Sequence, residues 1–143
     1  HADNPTGIYV CKCRTDRTVN DWFKLMCETK LPSTLVIDEA NKFCSPNKVQ
    51  SDLYDIIQYG RNYGQNVILA ARRYNQLNID LRSQADCMIS FVQKDPGDVR
   101  DLARTYGEKA RNLPHLNRHE WIALGYTDAC PAVRKLMEIH GHT

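Results

Sequence analysis

Thr34-Leu35-Val36-Ile37-Asp38-Glu39-Ala40 reads as a buried strand that ends in two adjacent acids. Thr34 to Ile37 is a continuous run of β-type residues, apolar from Leu35 onward without alternation, the pattern of a strand in a parallel sheet covered on both faces. Ionised side chains at the edge of such a core cost free energy unless something compensates them. At the carboxyl end of a parallel strand, Asp38 and Glu39 face the crevice where α/β sheets bind ligands. A plainer reading stays open, in which the strand simply runs into a helix whose acidic first turn suits the helix dipole.

Outward from this stretch, short apolar runs alternate with helical periodicity. Upstream, Gly7 to Cys11 reads as a strand, and Thr18 to Thr29 as a helix with Val19, Trp22, Phe23 and Met26 on a stripe that faces a sheet. Downstream, Leu53, Ile56, Ile57 and Gly60 recur at helical spacing over Val49 to Tyr63, and Gly64 is a natural stop. Asn66 to Ala71 and Asp86 to Val92 are further strands. Asp95-Pro96-Gly97-Asp98 starts a helix with Asp95 as N-cap, and that helix runs to Tyr106 before Gly107. Glu120 to Leu124 and Ala132 to Met137 read as two strands of a hairpin joined through Gly125-Tyr126-Thr127-Asp128. The expected fold is α/β: a mostly parallel sheet with helices on both faces and an antiparallel hairpin at one edge, in a single domain over residues 1–143.

Composition agrees with one globular domain. The 143 residues are 42% hydrophobic and 25% charged, enough for a real core, and seven Gly with six Pro exclude a collagen-like or low-complexity chain. The longest apolar runs are a few residues, so no segment reaches the roughly 20 needed to span a bilayer. Nineteen basic against 17 acidic residues leave a net charge of +2, which does not mark a nucleic-acid binder by bulk charge. Several of the six Cys lie within apolar patterns (Cys11, Cys27, Cys87), where a reduced thiol acts as a small hydrophobe. That predicts a reducing, cytoplasmic compartment.

Two acids closing a buried strand are the Walker B arrangement. Asp38 would hold Mg²⁺, usually through water, because Mg²⁺ gives up its hydration shell reluctantly. Glu39 would orient and polarise the water that attacks a γ-phosphate. Order and spacing add to this pair: Leu35 to Ala40, Tyr59 to Gly64, Val67 to Arg73, Leu81 to Asp86 and Ile89 to Leu102 together resemble the HerA/FtsK superfamily of P-loop motor ATPases, in its HerA-like and viral or phage members. The resemblance implies a RecA-like P-loop NTPase fold, ATP and Mg²⁺ as cofactors, and a homo-oligomeric, hexameric ring whose channel grips DNA for translocation or packaging. It also implies that an Arg of the helix after Walker B reaches the neighbouring subunit's nucleotide. Arg61 matches that position, and its planar, permanently charged fork suits γ-phosphate oxygens. From Leu53, Arg61 lies roughly 80° around a helix at about 100° per residue, on the flank of the apolar stripe. A cation in a last helical turn that merely complements the dipole is the alternative.

In the family the strand after that helix ends in a polar sensor of the γ-phosphate. Here those positions are Ala71 and Arg72, so Arg72 is the candidate nucleotide contact and Ala71 cannot take part through its side chain. No G-x-x-x-x-G-K-[ST] occurs in the sequence, and without such a cradle the chain alone should bind ATP poorly. The start at His1 therefore suggests the C-terminal part of a motor domain whose P-loop lies upstream. The rival is a non-catalytic ATPase-like remnant that serves as an assembly or interaction module; a third reading is a phage-assembly relative whose cargo is a virion. Cys11, Cys13, Cys27 and Cys44 make a poor zinc set, with one tight pair where two are usual. The loop Arg72 to Gln76 with Arg82 could touch nucleic-acid phosphates or be plainly solvated.

Overall fold

The computed structural model describes residues 16–125. The readings of Gly7 to Cys11, of the Cys11/Cys13 pair and of Ala132 to Met137 lie outside those residues. In chain order the main elements are α1 (Asp16–Thr29), β1 (Ser33–Ile37), β2 (Cys44–Ser45), β3 (Lys48–Val49), α2 (Ser51–Tyr59), β4 (Gln65–Leu69), α3 (Ile79–Ser83), β5 (Met88–Phe91), α4 (Pro96–Tyr106) and β6 (Trp121–Leu124). The described residues fall into two compact units, one of residues 16–35 and 50–67, the other of residues 36–49 and 68–125. The boundary cuts β1 and β4 midway, so each unit holds one half of that strand pair.

In the first unit α1 packs on α2, with Phe23, Leu53 and Ile56 buried. Gln50 caps α2 by accepting a hydrogen bond from the Leu53 N–H at 2.7 Å. The buried Gln65 donates from Nε2 to the Met26 carbonyl at 3.0 Å, joining the start of β4 to α1. The α1 stripe packs on α2 and leaves Trp22 exposed. One expectation is corrected. The expected helix to Tyr63 ends at Tyr59 and tightens into a 3₁₀ turn over Gly60–Tyr63, which Gly64 closes at φ 69°. Apolar spacing is the same for both helix types, so periodicity could not separate them.

In the second unit the core gathers Tyr74, Leu102, Ala103, Ala110, Leu113 and Leu124. The N-terminus of α4 is as expected: Asp95 accepts from the N–H groups of Gly97 at 3.0 Å and Asp98 at 3.1 Å, with Pro96 in the first turn. A 3₁₀ segment, Glu108–His115, follows it.

The sheet departs from expectation. The described strands form three two-stranded pairs, of which β1–β4 is parallel, while β2–β3 and β5–β6 are antiparallel. The strand at Trp121–Leu124 pairs with β5, in the register Met88↔Leu124 and Phe91↔Trp121. Nor are the strands covered on both faces, since Val36 is 64% exposed and Ile68 53%. An apolar run reports two apolar faces; whether chain covers both of them is a tertiary matter.

Candidate functional site

The second unit carries β1 out of its last residue, Ile37, into Asp38 and Glu39. β4 leaves Leu69 into Ala70, Ala71 and Arg72. Two backbone hydrogen bonds lock these exits together: Ala70 N–H donates to the Ile37 carbonyl and Ala40 N–H to the Ala70 carbonyl, each at 2.9 Å. Asp38, Glu39, Ala70, Ala71 and Arg72 thereby line one cavity of about 250 Å³. Three of the four residues singled out in the sequence thus meet at the carboxyl ends of adjacent parallel strands, where such sheets place ligands.

The backbone turns sharply at the second acid. Glu39 adopts a left-handed conformation (φ 50°, ψ 44°), unusual for a residue with a Cβ. Its N–H donates to Oδ1 of Asp38 at 2.8 Å, and a 3₁₀ turn, Ala40–Lys42, follows in place of an α-helical first turn. Strain of this kind collects at functional sites when the surroundings enforce it.

Charge closes around Glu39. Lys42 Nζ pairs with Oε2, and Arg72 Nη2 donates to Oε1 at 2.9 Å. Lys42 first, through its hydrogen bond and charge, and then Arg72 hold the Glu39 carboxyl below its ordinary value. Lys42 was not among the sequence candidates, although its spacing of three from Glu39 was the signal that could have found it.

Arg73 turns the other way. Its Nε donates to Oδ2 of the buried Asp98 at 2.8 Å, and its Nη2 lies 2.8 Å from Oδ2 of Asp95. Asp98 and then Asp95 raise the Arg73 pKa above its ordinary value. Arg82 donates to Asn75 Oδ1 at 2.7 Å and lies over the Tyr74 ring, 4.2 Å from its centroid. The loop read as a possible basic patch is therefore largely occupied with its own unit. In the sequence Asp98 is an acid in the first turn of a helix, and nothing local signals an ion pair across 25 residues.

Arg61 belongs to the first unit, exposed on the 3₁₀ turn, so the angle reckoned for an α-helix does not apply to it. Cys27, Cys44 and Cys87 are not in disulfides. The buried Cys44 donates to the Ala40 carbonyl at 2.9 Å, and burial pushes its pKa up to about 11. Among the described residues no group of three His, Cys, Asp or Glu could hold a metal ion. Mg²⁺ asks for less, a carboxylate with water and phosphate oxygens completing its shell, and Asp38 fits that donor set. The described residues contain no glycine-rich phosphate cradle.

No family model matches the chain, and neither does any curated protein. Solved structures do. The genome-packaging NTPase B204 from Sulfolobus turreted icosahedral virus 2, in complex with ATPγS, superposes with a TM-score of 0.67 at 21% identity, over 85% of this chain and 64% of that one. The same protein in complex with AMP gives a TM-score of 0.63 at 24% identity, over 76% of this chain and 58% of that one. B204 described as the DNA-packaging ATPase of Sulfolobus Turreted Icosahedral Virus gives 0.64 at 21%, over 80% and 58%. This chain thus spans about three fifths of the length of the proteins it matches, and at such identities the likeness is one of fold. The resemblance to a P-loop motor ATPase is met at that level: the chain shares its fold with a viral genome-packaging NTPase.

Proposed function

We propose that this chain supplies the hydrolytic acids of a nucleotide-driven genome-packaging motor of HerA/FtsK type. The observation that carries the reading is the meeting of Asp38, Glu39 and Arg72 around one cavity at the ends of two parallel strands. Asp38 would hold Mg²⁺, which neutralises phosphate charge when bound. Glu39 would orient a water toward the phosphate, and Arg72 would exchange its carboxylate partner for a phosphate oxygen, a ligand its fork fits equally well. The neighbours bound to ATPγS and AMP support a nucleotide as the ligand. Arg61 would act on the site of an adjoining subunit in a homo-oligomeric, hexameric ring, with DNA as cargo. A phosphate cradle, missing from this sequence, would come from another segment of chain, and residues 1–143 would then form part of one motor domain.

The test is ATP hydrolysis by the protein together with the segment that bears its phosphate loop. Glu39→Gln should abolish turnover while nucleotide still binds. Unchanged hydrolysis removes Glu39 from the role. A second reading, a non-catalytic assembly module, is favoured by one observation: both Glu39 oxygens are already taken by cations. Absence of nucleotide binding with the phosphate loop supplied would select it.

A further inference from the structure

Asp98 is the one charged residue among the described residues whose side chain is wholly buried, and the proposed reaction makes no use of it. Both its oxygens are taken, Oδ2 by Arg73 Nε at 2.8 Å and Oδ1 by the Asn75 N–H at 3.0 Å. The Arg73 fork spans from Asp98 to Asp95, whose Oδ1 meanwhile caps α4. Asn75 is held further by Asp101, which accepts from its Nδ2 at 2.9 Å. Gln93 Nε2 donates to the Arg72 carbonyl at 3.2 Å. The segment 72–75 is thus sewn to the first turns of α4 from one side.

Asp98 is buried while Arg73 stays half-exposed. Burying a charge is a poor way to gain stability, because its desolvation offsets much of the attraction to its partner. It is an effective way to fix direction. Arg73 has extended backbone (φ −138°, ψ 141°) and follows a bend at Arg72. Across that bend the two side chains part: Arg73 goes to Asp98 at 2.8 Å and Arg72 to Glu39 at 2.9 Å.

We propose that Asp98 is a positioning residue for Arg72: by gripping Arg73 it sets the backbone at 72–73 and aims the Arg72 guanidinium across the cavity at Glu39. The catalytic consequence rests on the reading of Arg72 given above, whereas the aiming itself does not. Asp98 would thus tie α4 to the site, although it touches neither the cavity nor any ligand there.

The experiment is ¹⁵N relaxation of the Arg72 Nε–H group in the full chain, with the amides of Ser90 and Ala123 in the β5–β6 pair as internal references. In the unsubstituted protein Arg72 Nε should be ordered. Asp98→Asn keeps the shape but accepts on one side only, and should drop the Arg72 order parameter below about 0.6, the flexible range, while the reference amides hold theirs. If that variant does not fold, Arg73→Lys serves, because a lysine keeps the charge against Asp98 yet cannot bridge both acids, and the same loosening is expected. An unchanged Arg72 in either folded variant overturns the proposal. So does loosening that reaches the reference amides equally, or an Arg72 already disordered before substitution. None of these readings depends on hydrolysis, so a protein without ATPase activity leaves the proposal standing or falling by itself.

Discussion

Glu39 Oε1 and Arg72 Nη2 stand 2.9 Å apart although 33 residues separate them in the chain. The contact exists because β1 and β4 run side by side and Ala70 locks their exits together. With Lys42 on the other oxygen, each oxygen of the carboxylate already meets a cation.

The pH dependence of that arrangement has a definite sign. The folded pKa of Glu39 lies below its ordinary 4.5, so the stabilisation from its ion pairs is fully present above that value and is lost as pH falls through the depressed one. Lys42→Ala should raise the Glu39 midpoint further than Arg72→Ala, because Lys42 is the larger cause. Carboxyl ¹³C shifts followed against pH measure both, and a midpoint common to all three proteins contradicts the arrangement.

Arg61→Ala tests the action across subunits. An arginine that completes a phosphoryl-transfer site is worth about 10³-fold or more in rate, so the variant should lose turnover on that scale. Mixing it with subunits whose phosphate loop is inactive should restore part of the hydrolysis, since composite sites then hold every part. Mixed rings as dead as their parents would place Arg61 outside the site.

Asp95 has two tasks that substitution can separate. Asp95→Ala removes the α4 cap and should cost about 1 kcal/mol of stability, read from urea midpoints. Asp95→Ser should recover most of that loss, because a hydroxyl caps as well, while leaving Arg73 without its second partner. Equal stability of the parent and Asp95→Ala would show that the cap is not in use.

Cys44 should be inert in the folded protein. Its thiol is buried and its pKa lies at about 11, so almost none of the reactive thiolate is present at neutral pH. Iodoacetamide should label it only after unfolding in urea, and mass spectrometry of the peptide containing Cys44 checks this. Labelling in native buffer at the rate of an exposed cysteine would contradict the burial.

The elements near the site were largely legible in the chain. The strand before Asp38, the stop at Gly64 and the Asp95 cap each follow from neighbouring residues, because propensity, capping and apolar period act over a turn or two. The cavity was legible in part: Asp38 and Glu39 stood out as acids closing an apolar run, and Arg72 as the polar position after the next strand. Lys42 could have been found from its spacing of three from Glu39, since an α-helical turn and the observed 3₁₀ turn both bring those positions together. The Arg73–Asp98 pair was hidden by distance, for no periodicity links an arginine in a loop to an acid 25 residues on.

Local order, by itself, determined most of the strands, helices and caps near the site, and that two acids end an apolar strand. Tertiary structure alone decided what those acids face. β1 and β4 had to lie side by side before Arg72 could reach Glu39, and α4 had to dock before Arg73 could turn away from the cavity. It also decided that Val36 and Ile68 lie open, since an apolar side chain carries its preference for burial in the sequence, while the surface that would satisfy it is supplied by packing.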